Sequence, residues 1–236
     1  MSFLKAEWRK LAMFNYVIDP KILEPYVPPG TELDAFEGKC YVSLVGFMFQ
    51  NTKLLGIKVP FHINFEEVNL RFYVRRREGA HWKRGVVFIK ELVPKPAITF
   101  VANTIYKEHY ETVRMGHQWD KNVSVLDVSY FWRKGGKRHF MQVVCESNSM
   151  PMIAGSEEQF IAEHYWGYSK GPKGTTVEYE VKHPSWEIYP VQSFNVDVDF
   201  EQNYGSRFAL MNSLEPTSVL LAEGSEISVE NKRVIE

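Results

Sequence analysis

Residues 64 to 74 read Asn-Phe-Glu-Glu-Val-Asn-Leu-Arg-Phe-Tyr-Val, and that alternation says more about the fold than any other stretch of the chain. With a period of two, Glu67, Asn69, Arg71 and Tyr73 fall on one face, and Glu66, Val68, Leu70, Phe72 and Val74 on the other. Successive side chains of a strand point to opposite sides of its sheet, so four hydrogen-bonding groups stand in one row over a mostly apolar floor. A water-facing row has this pattern too. Here the row mixes an acid, an amide, a guanidinium and a phenol, without the Lys, Thr and Ser of an ordinary wet face. The pattern suggests the wall of a polar pocket.

Strand signals recur along the chain. Cys40 to Gln50 is apolar on both faces, as in a strand covered on both sides, and Trp8 to Val17 is a further apolar segment. Gly85 to Leu92, Asn122 to Arg133, Arg138 to Ser147, Thr175 to Lys182, Phe194 to Phe200 and Ser218 to Val229 also read as extended. Lys134-Gly135-Gly136-Lys137 marks a two-residue hairpin, and Arg75 to Gly79 reads as an exposed charged turn. Helices are few and short. Asp19-Pro20 opens one over Lys21 to Pro25, apolar residues at helical spacing predict another over 97 to 106, and Ser156-x-x-Gln159 has capping-box spacing. A helical piece is expected around Ser206 to Asn212, and fraying from Asn231 onward. No linker or repeat divides the chain, so the expectation is one α+β domain, predominantly antiparallel β.

Composition bounds the function. Among 236 residues, 44% are hydrophobic and 24% charged, and the net charge of −1 offers no field to draw in nucleic acid or an anionic membrane. Cys40 and Cys145 lie in apolar runs and read as buried free thiols. The first ten residues are too charged for a secretory signal, and no apolar run approaches ~18 residues, so a soluble, cytoplasmic protein is expected. Oligomeric state, monomer or homo-oligomer, is left open.

Gly-x-Ser-x-Gly, phosphate-loop, Rossmann and His-Glu-x-x-His motifs are absent, and no cofactor is expected. His109 and His117, with Glu108 and Glu111 nearby, have only loose metal-ligand spacing, so no metal is assigned. In the leading constellation Arg71 forks onto a ligand carboxylate, Glu67 is the acid–base group, and Asn69 and Tyr73 orient the ligand. The competing state is an internal Arg–Glu pair that satisfies itself. His183, before Pro184, is either a titrating group or a hydrogen-bonded corner, and Lys107 either an exposed helix-end cation or an amine aimed into a cavity.

Several landmarks, in order, resemble the YqjF-like family of uncharacterised bacterial proteins (domain of unknown function 2071), within the acetoacetate decarboxylase-like superfamily. They are Trp8 to Tyr16 with Asp19-Pro20 and Leu23; Leu33-Asp34-Ala35-Phe36-Glu37-Gly38 leading into Val42 to Val45; Phe65-x-Glu67-x-Asn69-x-Arg71-x-Tyr73-Val74; Gly85 to Phe88; Glu163-His164-Tyr165; and His183-Pro184-Ser185-Trp186. The resemblance implies a closed, strongly bent β structure with a central cavity, a β barrel, and a few short outer helices. Decarboxylases of that superfamily form an imine on a lysine desolvated beside a second cation. Here Tyr110 falls where they carry that lysine and His109 where they carry a proline. YqjF-like sequences commonly have Pro-Tyr, so Tyr110 fits that branch and His109 departs from it. The expectation is a cavity for a small carboxylate- or carbonyl-bearing molecule, either an enzyme other than an imine-forming decarboxylase or a non-catalytic binder. Tyr110, His109 and His183 join Asn69 and Tyr73 as ligand-contacting candidates. The alternative is a structural cavity, with function on an outer surface.

Overall fold

The computed structural model describes residues 2–105 and 108–235. Its strands in chain order are β1 (Leu4–Val17), β2 (Glu32–Leu33), β3 (Tyr41–Leu54), β4 (Phe65–Glu78), β5 (His81–Val93), β6 (Tyr110–Thr112), β7 (Arg114–Lys121) and β8 (Val125–Lys134). Then follow β9 (Lys137–Glu146), β10 (Met150–Pro151), β11 (Trp166–Lys170), β12 (Thr176–Lys182), β13 (Glu187–Tyr189), β14 (Val191–Asp197), β15 (Ser218–Val229) and β16 (Arg233–Ile235). Four α-helices accompany them: α1 (Pro20–Leu23), α2 (Pro96–Ile105), α3 (Glu157–Ala162) and α4 (Phe200–Tyr204). The Asp19 side chain caps α1 by accepting from Lys21 N at 2.9 Å, and Ser156 caps α3 by accepting from Gln159 N at 3.2 Å.

Strand neighbours run β15–β1–β3–β4–β5–β11–β12, and β12 returns to β15 through Val181–Val229 and Lys182–Ser228. The sheet therefore closes on itself; around this ring the pairs are antiparallel except β5–β11, and β6, beside the ring, is also parallel to β5. Strong bending accompanies closure. Between Arg9 and Ala12 the β1–β3 register shifts, Lys10 adopts φ 55°, and Gly224 of β15, opposite Arg9, adopts φ 82°. The shift inverts parity, so Trp8, Leu11 and Met13 all face the inside of the curl.

Two cores result. Val42, Leu44, Val68, Leu70 and Phe72 on the outer face of the closed sheet pack against Val128, Tyr130, Trp132 and Met141 of a second sheet, β14–β9–β8–β7. On the inner face Leu11, Met13, Val45, Phe47, Phe65 and Tyr179 form the other. β3 is thus covered on both sides, and the two faces of β4 segregate as its alternation requires.

Three expectations are corrected, and one strand was not anticipated. Arg75 to Glu78 is not a turn but the end of β4, paired with His81 to Arg84 across Gly79-Ala80. The chain beyond Asn231 does not simply fray, because β16 pairs with β12 through Thr176–Ile235 and Val177–Val234. Cys145 is buried as expected, whereas Cys40 is only partly so, and both are free thiols. Residues 114–121, with little apolar alternation, form β7 because β8 supplies a complete antiparallel template.

Candidate functional site

Inside the closed sheet lies a cavity of about 240 Å³. Its rim holds Val59, 39% exposed, and exposed Ala97, so the mouth lies between the 59–62 loop and α2. From the mouth β4 runs down one wall, placing Phe65, Glu67, Asn69 and Arg71 at successive depths, about 7 Å apart. At the bottom α3 crosses beneath, and its Ile161 carbonyl accepts from Arg71 Nη2 at 3.4 Å.

The wall continues across β5 because of a second irregularity. Pairing with β4 skips one residue between Leu70–Lys90 and Arg71–Phe88, leaving Ile89 unmatched. Phe88 and Glu91, of opposite parity in sequence, both therefore line the cavity. Laterally, Asn69 pairs with Glu91, and Glu91 with Tyr110 of β6, so an amide, an acid and a phenol stand side by side. Tyr110 Oη donates to Glu67 Oε2 at 3.1 Å, and Asn69 Nδ2 to Glu67 Oε1 at 2.9 Å. Across the cavity Tyr179 of β12 donates to Glu108 Oε1 at 3.0 Å.

Three acids thus share one enclosed space. Glu67, Glu91 and Glu108 are 2%, 2% and 6% exposed. Burial disfavours their ionised forms, and for Glu91 and Glu108 the charge of a neighbouring acid adds to the effect. Glu67 rises to about 7, held down only in part by its bonds from Asn69 and Tyr110 and by the Arg71 charge. Glu108 rises to about 8, mainly through burial, and Glu91 rises well above the carboxylic range through burial and then the charges of Glu108 and Glu67. His164, also on the lining, has Nε2 3.4 Å from Asp34 Oδ2. Burial outweighs that partner and lowers the imidazole to about 4, so the ring is neutral at pH 7.

Several buried atoms around this space have no hydrogen-bond partner among the described residues: Asn69 Oδ1, Arg71 Nε, Glu91 Oε2, Glu108 Oε2 and His164 Nδ1. Among the described residues the polar contacts of Arg71, 7% exposed, are with Met13 Sδ and Ile161 O, its guanidinium lies over the Tyr73 ring, and no carboxylate lies within ion-pair distance of it. Buried polar groups are ordinarily satisfied, so this concentration of unmet demand is a property of the site.

The candidates from sequence are divided accordingly. Glu67, Asn69, Arg71 and Tyr110 converge on the cavity. Tyr73 does not line it. The ring lies beyond α3 against Phe160 and His164, and its hydroxyl donates to Ser43 Oγ at 2.7 Å, while Ser43 donates onward to Asn15. His109 is exposed and turned away, since its neighbour Tyr110 takes the inward position. His183 is a corner: it stacks on Trp186 at 4.2 Å, its Nδ1 lies 2.8 Å from Pro184 O, and it sits behind the cavity-lining Trp8. Lys107 lies outside the described residues. His117 pairs with Glu66 at 2.7 Å on the outer face. Sequence reasoning missed Glu91, Glu108, His164 and Tyr179 as site residues. The available signal for Glu91 was a lone acid inside the apolar run from Val86 to Val93.

A family model for DUF2071, uncharacterized conserved proteins, matches residues 5–226. The chain is 32% identical over 187 residues to the uncharacterized protein YqjF of Bacillus subtilis, covering 78% of this chain and 74% of that one. Among solved structures, acetoacetate decarboxylase from Legionella pneumophila matches with a TM-score of 0.68 at 11% identity, over 99% of this chain and 87% of that chain. The enduracididine biosynthesis enzyme MppR, complexed with pyruvate, matches with a TM-score of 0.67 at 12% identity, over 100% and 91%. At such identities the likeness establishes the acetoacetate decarboxylase-like fold.

Proposed function

Because the chain belongs to the DUF2071 family, within an acetoacetate decarboxylase-like fold, we propose that its cavity binds a small molecule carrying both a carboxylate and a carbonyl group. Arg71 holds the carboxylate at the bottom. Higher up, Tyr110 and the protonated acids Glu91 and Glu108 face the carbonyl oxygen, and Glu67 exchanges a proton with the adjacent carbon. The observation that carries this reading is the buried Arg71 guanidinium without a carboxylate partner among the described residues. Such a group is costly to bury alone and becomes favourable once an anion forks onto it.

Glu67 suits acid–base work because burial brings its pKa to about 7, where both protonation states are populated near neutral pH. Imine formation is not part of the proposal: no lysine lines the cavity among the described residues, and a tyrosine occupies the place that the resemblance gives to the reactive lysine. The pyruvate complex of MppR is consistent with an oxo acid as ligand, by analogy of fold alone.

The test is proton exchange in D₂O, followed by NMR on pyruvate and 2-oxobutyrate. The chain should accelerate deuterium uptake at the carbon next to the carbonyl, and Glu67→Gln should reduce the rate by about 10²-fold or more. Borohydride should trap no adduct. Binding without exchange would leave a binder and remove the acid–base role, and a borohydride adduct on Lys107 would overturn the proposal.

A further inference from the structure

The carboxyls, the Arg71 guanidinium and the Tyr110 and Tyr179 hydroxyls lie in the depth of the cavity, and apart from Thr52 and His62 the outer half is made of rings and branched chains. Trp8, Phe47, Phe49 and Phe65 form one side, with Phe49 stacked on Phe65 at 4.6 Å and Trp8 meeting Phe47 edge-on at 5.3 Å. Ile98 and Val101, from the inner face of α2, form the opposite side. A three-carbon oxo acid held at Arg71 leaves this collar facing water. Arg71 and Phe65 are six residues apart on one strand, about 20 Å between Cα atoms, and a small acid cannot span that distance. Volume points the same way. A dry cavity of about 150 Å³ accommodates benzene. Here the cavity holds about 240 Å³, leaving roughly 90 Å³ beyond a benzene-sized group, enough for an oxo-acid head.

Resting on the reading of Arg71 as a carboxylate clamp, we infer that the ligand is an oxo acid with an apolar tail of about phenyl size. The acid goes in first and the tail fills the aromatic collar at the mouth. Contact with the collar separates this ligand from the short oxo acids that the polar depth alone would accept.

Isothermal titration of the full chain with straight-chain 2-oxo acids from pyruvate to 2-oxooctanoate, with phenylpyruvate, and with the matching alkanols tests this. Affinity should rise about fourfold per added methylene until the collar is full, and phenylpyruvate should bind about 100-fold more tightly than pyruvate. Equal affinity for every acid in the series would overturn the tail and leave the clamp standing. Alkanols that bind as tightly as the acids would instead overturn the clamp, and the inference with it. No binding by any member would refute both.

Discussion

Glu67 and Arg71 stand four residues apart on one strand, about 13 Å between Cα atoms, and they form no ion pair: Glu67 accepts from Asn69 and Tyr110, and Arg71 Nη2 turns to the Ile161 carbonyl. Each is left to do something else. The acids make the site sensitive to pH with a definite sign. Glu67 at about 7 and Glu108 at about 8 both gain negative charge as the pH rises, so affinity for an anionic ligand should fall across that interval when measured by titration. Stability follows the same groups. A carboxyl raised in the folded state contributes stability that is complete below its unfolded value and lost as the pH climbs through the folded one. Glu108→Gln, which cannot ionise, should therefore gain on the wild type between about pH 5 and pH 9, by on the order of 3 kcal/mol in denaturant unfolding. A gap between the two that does not vary with pH would mean that Glu108 is ionised throughout.

At the scale of elements, the strands with plain alternation were legible in the sequence and the irregular ones were not. β4 keeps parity through its inward row, so reading every second residue found Glu67, Asn69 and Arg71. Tyr73 obeys the same parity, yet α3 covers that end, and no pattern within β4 announces a helix lying some 85 residues further along. Glu91 was hidden for a different reason: the unmatched Ile89 breaks the period of two, and such a break is invisible until the partner strand is known. Glu108 comes from a loop and Tyr179 from an apolar face, where neither spacing nor composition marks a polar role. The bulge in β1 allows a direct test. A Cβ on Gly224 would lie 1.9 Å from the Trp8 carbonyl oxygen, at a φ of 82° that side chains rarely adopt. Gly224→Ala should cost roughly 3 kcal/mol or more in chemical denaturation. A change under about 0.5 kcal/mol would show that the bend at Lys10 is not set by this contact.

For the molecule as a whole, closure creates the cavity, yet closure rests on little. β11 joins β5 through Trp166–Gly85 and Gly167–Val86 alone, and β12 joins β15 through Val181–Val229 and Lys182–Ser228. The β3–β4 and β4–β5 pairs run much longer. Residues 166–182 should accordingly lose amide protection before residues 41–93 in hydrogen–deuterium exchange, and a bound ligand should slow exchange in that hairpin through Tyr179. Uniform protection around the ring would contradict this. The central claim, that Arg71 awaits an anion rather than completing an internal pair, is tested most directly by the melting temperatures of wild type and Arg71→Gln, each with and without phenylpyruvate. The account predicts that the ligand raises the wild-type value alone, and that the unliganded variant is at least as stable as the wild type. A variant destabilised by about 3–5 kcal/mol, with no ligand response in either protein, would mean that Arg71 belongs to a buried pair and serves the fold.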